Sequence, residues 1–343
     1  MWLLKNKYNL KPLLVNFDHS FNTEAGVKNL ENLVRISGFD LVKYTAGIDS
    51  VQKISKLMLQ KVGDLTWHYH AGIRTFPFQV ACDQKIPFLI YGEHGYSELT
   101  GMMNLNYIVE HTYWSVKEHC MRGYAAENLL KFKNISKYDI KPYVYPDLNE
   151  IKRQNIRGIY LSNYFKWNQK KQSEIVIKSM NFKTLTYKRD RTPNLFSKIE
   201  DHANDVHDYL KFLKFGYGRG TDDCSMEIRH NRLSKNEGEI LAKNYDKKIP
   251  RSLDFYLEFL KYKKKDFYFT IEKMAETHIL KGLRLKKEKV NDFKNINKKI
   301  PTYKIKDYIF NNKNRHLYYN PKNPPKKIGD KAFDEYSESF YGY

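Results

Sequence analysis

The sequence has few cysteines and no long apolar run. Three cysteines occur among 343 residues, at positions 82, 120 and 224, and none forms a CxxC pair. This usage does not support a zinc knuckle or a redox pair, and it predicts a reducing, cytoplasmic location. The mean hydropathy is −0.70 and no stretch of ~18 apolar residues occurs, so we expect no membrane span. The N-terminus also lacks the apolar segment of a signal peptide.

Several catalytic motifs are absent as well. The sequence contains no Gly-x-Ser-x-Gly motif and no evident Ser/His/Asp arrangement. His68 and His70 are close in sequence, but they are two residues apart on a predicted helix and therefore point to different sides. We accordingly expect no metal site there. His207-Asp208 is interpreted as a surface or supporting pair on a helix.

The charge is strongly positive. Lys and Arg number 60 against 39 Asp and Glu, a net charge of +21, and residues 281–343 contribute +9 of it through 16 basic and 7 acidic residues. A basic chain can bind nucleic acid. The excess is mostly Lys in a chain rich in Asn, Ile and Tyr, a usage that a biased genome also produces. We therefore do not expect nucleic-acid binding.

Strand-like and helix-like segments alternate in the first half of the chain. Short apolar runs predict strands at 13–17, 40–44, 86–91 and 157–161, and helical spacing predicts helices at 23–38, 50–61, 65–84 and 170–180. Pro77 is expected to kink or interrupt the third helix. This order is typical of a parallel α/β sheet covered by helices.

Three regions are predicted along the chain. Residues 1–190 form an α/β nucleotide-binding domain, and 191–280 form a helical region without a convincing strand. The polar segment 189–194 is a candidate linker between them. Residues 281–343 are interpreted as a basic, weakly ordered tail because they are rich in Lys, Asn and Pro.

Two polar clusters follow predicted strands. Ligands of parallel sheets bind at the carboxyl ends of the strands. Phe17-Asp18-His19 follows the first strand, where backbone groups could contact an adenine edge and Asp18 could orient His19. Gly92-Glu93-His94-Gly95, with Glu98, follows the third strand and could hold a phosphate, a sugar or a cation. The alternatives are a helix-capping Asp and a solvated turn.

A third cluster lies in the helical region. Residues 216–223 combine three glycines at alternate positions with Arg219, Asp222 and Asp223. The Arg219 guanidinium offers a bidentate fork for phosphate or carboxylate. The acidic residues suit a helix N-terminus, so a capped helix–helix connection is the alternative. Three glycines and an arginine exceed what a cap needs, and this favours a functional loop.

These residues lie within a wider resemblance. The sequence resembles the N-acetyl sugar amidotransferases, bacterial enzymes of surface-polysaccharide and pseudaminic- or legionaminic-acid pathways in the PP-loop ATP-pyrophosphatase group. Five blocks in the same order carry the resemblance: 13–33, 86–102, 117–130, 141–167 and 207–246.

The resemblance implies a fold and a reaction. The fold is a Rossmann-like parallel sheet of the adenine nucleotide alpha hydrolase type, followed by a helical region. The reaction converts a sugar acetamido group into an acetamidino group, with ATP, and with Mg²⁺ as its companion ion, activating the amide oxygen. Ammonia is expected from a separate glutaminase-type subunit, and the substrate is an N-acetylated, nucleotide-linked sugar.

The resemblance also implies roles for individual residues. Three sets follow by position: Asn16, Phe17, Asp18, His19, Gly92 and Glu93 for the nucleotide; His94, Gly95, Glu98, Tyr217, Gly218 and Arg229 for the substrate; and Arg219, Asp222 and Asp223 for catalysis.

One family motif is missing from the sequence. Family members carry an SGGxDS phosphate loop and its strand ahead of the segment that corresponds to Leu3–Tyr8, and neither occurs here. We therefore expect a chain truncated at its N-terminus relative to the family fold. A PP-loop enzyme acting on tRNA and an inactive fragment are the alternatives.

Overall fold

A computed structural model describes residues 1–92, 110–165 and 167–275. The described residues contain four strands: β1 (Leu14–Asp18), β2 (Leu41–Thr45), β3 (Phe88–Tyr91) and β4 (Arg157–Tyr160). Each coincides, within two residues, with a predicted strand, so these four predictions are confirmed.

The strands form two parallel pairs. β1 pairs with β2, with Leu14 opposite Leu41, and β3 pairs with β4, with Phe88 opposite Arg157. Parallel pairing of the strands agrees with the parallel α/β arrangement that the sequence predicts. Within the described residues the pairs are separate two-stranded sheets. A single Rossmann-like sheet therefore stays a prediction.

Helices occupy most of the remaining described chain. Before β4 they are α1 (Trp2–Asn6), α2 (Glu24–Ser37), α3 (Ile48–Val62), α4 (Trp67–Gln84), α5 (Tyr113–Ser115), α6 (Lys137–Ile140) and α7 (Leu148–Arg153). After β4 they are α8 (Gln169–Met180), α9 (Ala203–Phe215), α10 (Arg219–Arg229), α11 (Lys235–Asp246), α12 (Ser252–Phe259) and α13 (Lys264–Glu272). Short 3₁₀ turns cover Ala126–Lys131, Lys141–Tyr143 and Leu161–Asn163, and a π turn covers Val116–Cys120.

Local signals account for the ends of α2. The Thr23 hydroxyl accepts a hydrogen bond from the backbone N–H of Gly26, which caps the first turn. Gly38 ends the helix with a φ of +70°, a left-handed conformation that glycine adopts without steric cost. The predicted start and stop of this helix are both confirmed.

Helix α4 lies directly against β1. A side chain at Gly72 would place its Cβ 2.5 Å from the Phe17 ring, so glycine permits this close approach. Pro77 lies inside α4 without interrupting it. The approach brings the first turn of α4 next to the residues that follow β1.

One apolar core spans the predicted domain boundary. It joins side chains from β1, α3, α4, α9, α12 and α13, among them Phe17, Ile54, Trp67, Tyr209 and Tyr256. The helical region therefore packs on the α/β part in a shared core.

The predicted linker 189–194 is buried. Arg191 is completely buried and donates hydrogen bonds to the backbone carbonyls of Asp208, Tyr245, Asp246 and Lys248. A guanidinium has five N–H donors, and backbone carbonyl oxygens can accept hydrogen bonds from them inside a protein. This segment is thus bound to α9 and to the end of α11 by buried hydrogen bonds, and its role as a domain boundary stays a prediction.

Candidate functional site

The candidate site begins at the carboxyl end of β1. Asp18 is buried there, and its Oδ2 lies 2.6 Å from Nζ of Lys43 while its Oδ1 accepts a hydrogen bond from the Ser20 N–H at 2.9 Å. Burial opposes ionisation of Asp18, but the Lys43 ammonium and the hydrogen bonds from Ser20 and Asn22 outweigh it. They lower the pKa of Asp18 to about 2. Asp18 is therefore an ionised anchor that joins the ends of β1 and β2.

His19 faces the helical region. Its ring stacks on Tyr69 of α4 with centroids 4.4 Å apart, and its Nδ1 lies 3.4 Å from Oδ2 of Asp201. Burial disfavours the imidazolium, yet the Asp201 carboxylate more than compensates and raises the pKa of His19. A histidine held this way can accept and return a proton near neutral pH.

A polar stripe along α9 leads from His19 to the glycine-rich loop. Asn204, Asp208 and Lys211 are spaced four and three residues apart, so they share one side of the helix, and Asp201 lies just before it in the chain. In chain order from Asp201 to Lys211, their partners are His19, Tyr69, Arg219 and Asp222. The stripe thus connects the end of β1 with the start of α10.

The glycine-rich loop directs Arg219 inward. Gly216 ends α9 with a φ of +81°, and the Gly218 N–H donates to Oδ2 of Asp246 at 2.9 Å. Arg219 then binds Asp208 through two hydrogen bonds, from Nε at 3.1 Å and Nη2 at 3.3 Å. Burial opposes the charges, but the pair raises the pKa of Arg219 and holds that of Asp208 far below its usual range. Arg219 is thus a fixed cation whose fork Asp208 already occupies.

Asp222 and Asp223 lie beside this pair. One oxygen of each is 4.0 Å from Nη1 of Arg219. Asp222 binds Nζ of Lys211 at 2.6 Å through Oδ2, and Asp223 accepts a hydrogen bond from Thr192. Burial raises the pKa of Asp223 to about 6, although Arg219 and Thr192 oppose the rise. The Oδ1 atoms of both aspartates are buried and accept no hydrogen bond from the residues that the structure describes.

Lys198 lies between the two halves of the site. Its ammonium acts electrostatically on His70 and His207 on one side and on Asp208 and Arg219 on the other. Burial lowers the pKa of Lys198, and its backbone is left-handed with a φ of +50°. It makes no ion pair within 4.0 Å in the part of the chain that the structure describes. Lysine in this setting is a candidate anion ligand.

The structure also positions the other predicted site residues. Asn16 is half-buried in β1, and the Phe17 ring is core, stacked on Tyr44, so only the Phe17 backbone is available to a ligand. The Tyr217 ring lies under Nζ of Lys211 at 4.4 Å. Arg229 is exposed at the far end of α10, roughly 15 Å along the helix axis from Arg219. The structure therefore does not bring Arg229 to the others.

The structure describes only one residue of the second strand-end cluster, which comprises Gly92-Glu93-His94-Gly95 and Glu98. Gly92 is exposed directly after β3. Glu93, His94, Gly95 and Glu98 lie outside the described residues, as does the tail 281–343. Their predicted roles stay predictions.

Sequence reasoning missed the central residues of the site. The sequence indicates a surface or supporting pair at His207-Asp208; in the structure Asp208 is 1 % exposed and binds Arg219, so it does not lie on the surface. The polar spacing on α9 is the signal that could have found it, because it repeats with the helical period within an otherwise apolar face. Lys198 carries no such signal, since it lies in an irregular segment.

Comparison with known families associates the helical half with surface sugars. Residues 181–320 match the family described as LPS biosynthesis protein WbpG-like, C-terminal domain. The matched segment includes the α9 stripe and the Arg219 loop. The match supports a WbpG-type sugar-biosynthesis family, as the resemblance implied, and a role in lipopolysaccharide or polysaccharide biosynthesis.

Two further comparisons bear on the chain. A search of curated proteins found no significant match. Among the residues that the structure describes, no helix has the length and apolar character needed to cross a membrane.

Proposed function

We propose that the protein is an ATP-dependent amidotransferase that converts the acetamido group of a surface-polysaccharide sugar into an acetamidino group. The observation that carries the proposal is the α9 stripe, which joins the end of β1 to the Arg219 loop. The end of β1 and the Arg219 loop both belong to blocks that resemble N-acetyl sugar amidotransferases. The Arg219 loop also lies in the WbpG-like segment.

The chemistry requires activation of a poor electrophile. The amide oxygen attacks the α-phosphate of ATP, a P–O bond forms and pyrophosphate leaves. Ammonia then adds to the activated carbon, the C–O bond breaks, and AMP departs with the former amide oxygen. The added nitrogen loses its surplus protons, and the amidine remains. AMP and pyrophosphate are therefore the expected nucleotide products.

The charges of the site suit these species. Lys198 has an ammonium free of close ion pairs among the described residues and can bind a phosphate or the departing pyrophosphate. The unsatisfied Oδ1 atoms of Asp222 and Asp223 are hard ligands of the kind that Mg²⁺ prefers. Arg219 is committed to Asp208, so its proposed contribution is to keep the two aspartates and Lys198 in position.

Ammonia and the acceptor sugar come from outside this chain. A glutaminase-type subunit is the proposed ammonia source, and ammonium salts should replace it in vitro because free ammonia is the nucleophile. The proposed acceptor is a nucleotide-linked N-acetylated sugar. The residues around Gly92, with His94 and Glu98, are the proposed acceptor side.

The test is a product assay. Purified protein is incubated with ATP, Mg²⁺, an ammonium salt and a panel of N-acetylated nucleotide sugars, with and without an SGGxDS-containing N-terminal segment. We expect AMP by chromatography and, in equal amount, a sugar in which an imino nitrogen has replaced the carbonyl oxygen by mass spectrometry. Formation of ADP, or no amidine from any sugar with either protein, would overturn the proposal.

Lys198→Gln is the sharpest variant for this assay. Loss of one charge-assisted contact of ~1.5–3 kcal/mol should lower kcat/KM roughly 10- to 100-fold. Lys264→Gln is the matched control, because Lys264 is exposed and pairs only with Asp254 on the surface. Equal activity of the two variants would remove Lys198 from the site.

A further inference from the structure

Three side chains that the proposed reaction does not use converge beside the α9 stripe. They are Asp64, His70 and His207, hereafter the histidine cluster. Oδ2 of Asp64 lies 3.9 Å from Nδ1 of His70, and Oδ1 of Asp64 lies 3.7 Å from Nδ1 of His207. One donor atom from each residue lies within 4.8 Å of the others. This spacing is close to the separation of ligands around one small cation.

The three residues come from different parts of the fold. Asp64 follows Gly63, which ends α3 in a left-handed conformation with a φ of +64°. His70 lies in the first turn of α4, and His207 lies on α9. Their convergence fixes the approach of α9 to the start of α4, so a ligand held by all three would join these elements.

The Thr66 hydroxyl shows where the donors point. It lies 2.7 Å from Oδ1 of Asp64, 2.7 Å from Nδ1 of His207 and 3.3 Å from Nδ1 of His70. Both imidazoles therefore aim the same ring nitrogen at one place. Their Nε2 atoms point away from it, and the histidine side chains are 20 % and 16 % exposed, whereas Asp64 is 1 % exposed.

The donor set selects a class of ion. Two imidazole nitrogens and one carboxylate are the donor types of a three-ligand zinc site. Arg122 already binds Oδ2 of Asp64 at 3.1 Å, and Lys198 and Lys214 add positive charge nearby. These cations disfavour Mg²⁺ and Ca²⁺, which depend on several anionic oxygens. They disfavour less an ion that bonds strongly to nitrogen.

We propose that Asp64, His70 and His207 bind one divalent transition-metal ion of the Zn²⁺ class, with Thr66 or a water as the fourth ligand. The proposal does not depend on the amidotransferase reaction. It assigns to these histidines a function that the spacing of His68 and His70 did not predict, because His207 lies 137 residues after His70 in the sequence.

The test measures metal binding directly. Protein purified without a histidine tag is stripped with a chelator, reloaded with Zn²⁺ or Co²⁺ and freed of excess metal. We expect one Zn²⁺ per chain by elemental analysis, a rise in Tm on loading, and the visible absorption of tetrahedral Co²⁺ with nitrogen and oxygen ligands.

Ligand variants decide where the metal binds. His70→Gln and His207→Gln should each weaken Zn²⁺ binding by more than the ~10- to 100-fold that loss of an outer hydrogen-bond partner costs. His202→Gln is the matched control, since His202 precedes α9 and packs against Phe21 and Phe255. Folding of each variant is checked by circular dichroism before loading.

Three outcomes would overturn the proposal. Absence of stoichiometric metal would mean that Thr66 and the three residues form only a hydrogen-bond network. Unchanged binding in both ligand variants would place the metal elsewhere. A Co²⁺ spectrum dominated by thiolate charge transfer would assign it to Cys82, Cys120 or Cys224.

Discussion

Two polar regions interact electrostatically with Lys198, and they are built differently. The histidine cluster, with His19 nearby on Tyr69, consists of imidazole nitrogens and one carboxylate that can act as ligands. The arginine cluster, which we define as Arg189, Arg191 and Arg219, consists of permanent cations. Each of these guanidiniums is satisfied by a carboxylate or by several backbone carbonyls. The first region therefore offers ligands to the proposed metal ion, and the second provides a fixed framework of charges.

The difference explains how α9 serves both regions. On one side, His207 directs a ring nitrogen towards Asp64, and Asp201 lies beside His19. On the other, Asp208 is paired with Arg219. This buried pair can hold α9 in position for the residues on its other side, because both members keep their charge.

The largest expected effect on stability comes from removing the carboxylate that binds Arg219 of the arginine cluster. Asp208→Ala leaves the buried Arg219 guanidinium without its carboxylate, and this should lower the free energy of unfolding by ~3–5 kcal/mol. Urea unfolding measures the loss. Asp254→Ala, which removes an exposed partner of Lys264, should cost less than ~1 kcal/mol. Similar losses in the two variants would show that Arg219 does not need Asp208.

The next test concerns Asp223, whose carboxyl group lies 4.0 Å from Arg219 of the arginine cluster. Burial raises the pKa of Asp223 to about 6, so the folded state binds its proton more tightly than the unfolded state. Stability should therefore rise as pH falls through about 6 and level off near 4, by roughly 3 kcal/mol. Asp223→Asn should remove this component of the pH profile. A wild-type profile in the variant would contradict it.

Asp18 should show the opposite dependence. Its pKa is lowered to about 2, so its contribution of roughly 2 kcal/mol is present above pH 4 and is lost as pH falls towards 2. Asp18→Asn should be destabilised at pH 7 and approach the wild type at low pH. Unfolding free energies across this range measure both curves. If the difference in unfolding free energy between the wild type and Asp18→Asn stays constant with pH, the charge of Asp18 does not stabilise the fold.

The smallest effect sharpens the contrast between lysine and arginine. Lys211 is bound to Asp222 at 2.6 Å but is partly exposed. Lys211→Ala should cost only about 1 kcal/mol, because solvent screens the pair and Arg219 stays near Asp222. Thermal unfolding next to Asp208→Ala provides the comparison. A loss as large as that of Asp208→Ala would place Lys211 within the framework.

Local patterns predicted the secondary structure of the described chain well. The four strands and the ends of α2 depend on short-range signals, such as the Thr23 cap and the left-handed Gly38. The sequence did not show that Arg191 in the candidate linker 189–194 is buried, because Arg191 binds residues more than fifteen positions away. No local pattern reports whether such partners exist.

The same distinction between local sequence and tertiary packing applies to the candidate site. Residue type and position after a strand predicted Asp18 and His19 as site residues, and the glycine-rich segment 216–220 predicted Arg219. Whether Arg219 is free or paired depends on Asp208, which only the packing of α9 on α10 decides. Likewise, His70 and His207 become neighbours because α4 and α9 share one core.

Short stretches of chain thus determined where strands and helices begin and which residues could carry chemistry, since hydrogen-bond caps and apolar periodicity act over a few residues. The folded arrangement decided which charges are neutralised, which histidines meet and which aspartate oxygens lack a partner. Those properties depend on burial and on distances between residues far apart in the sequence, and these exist only once the helices have packed.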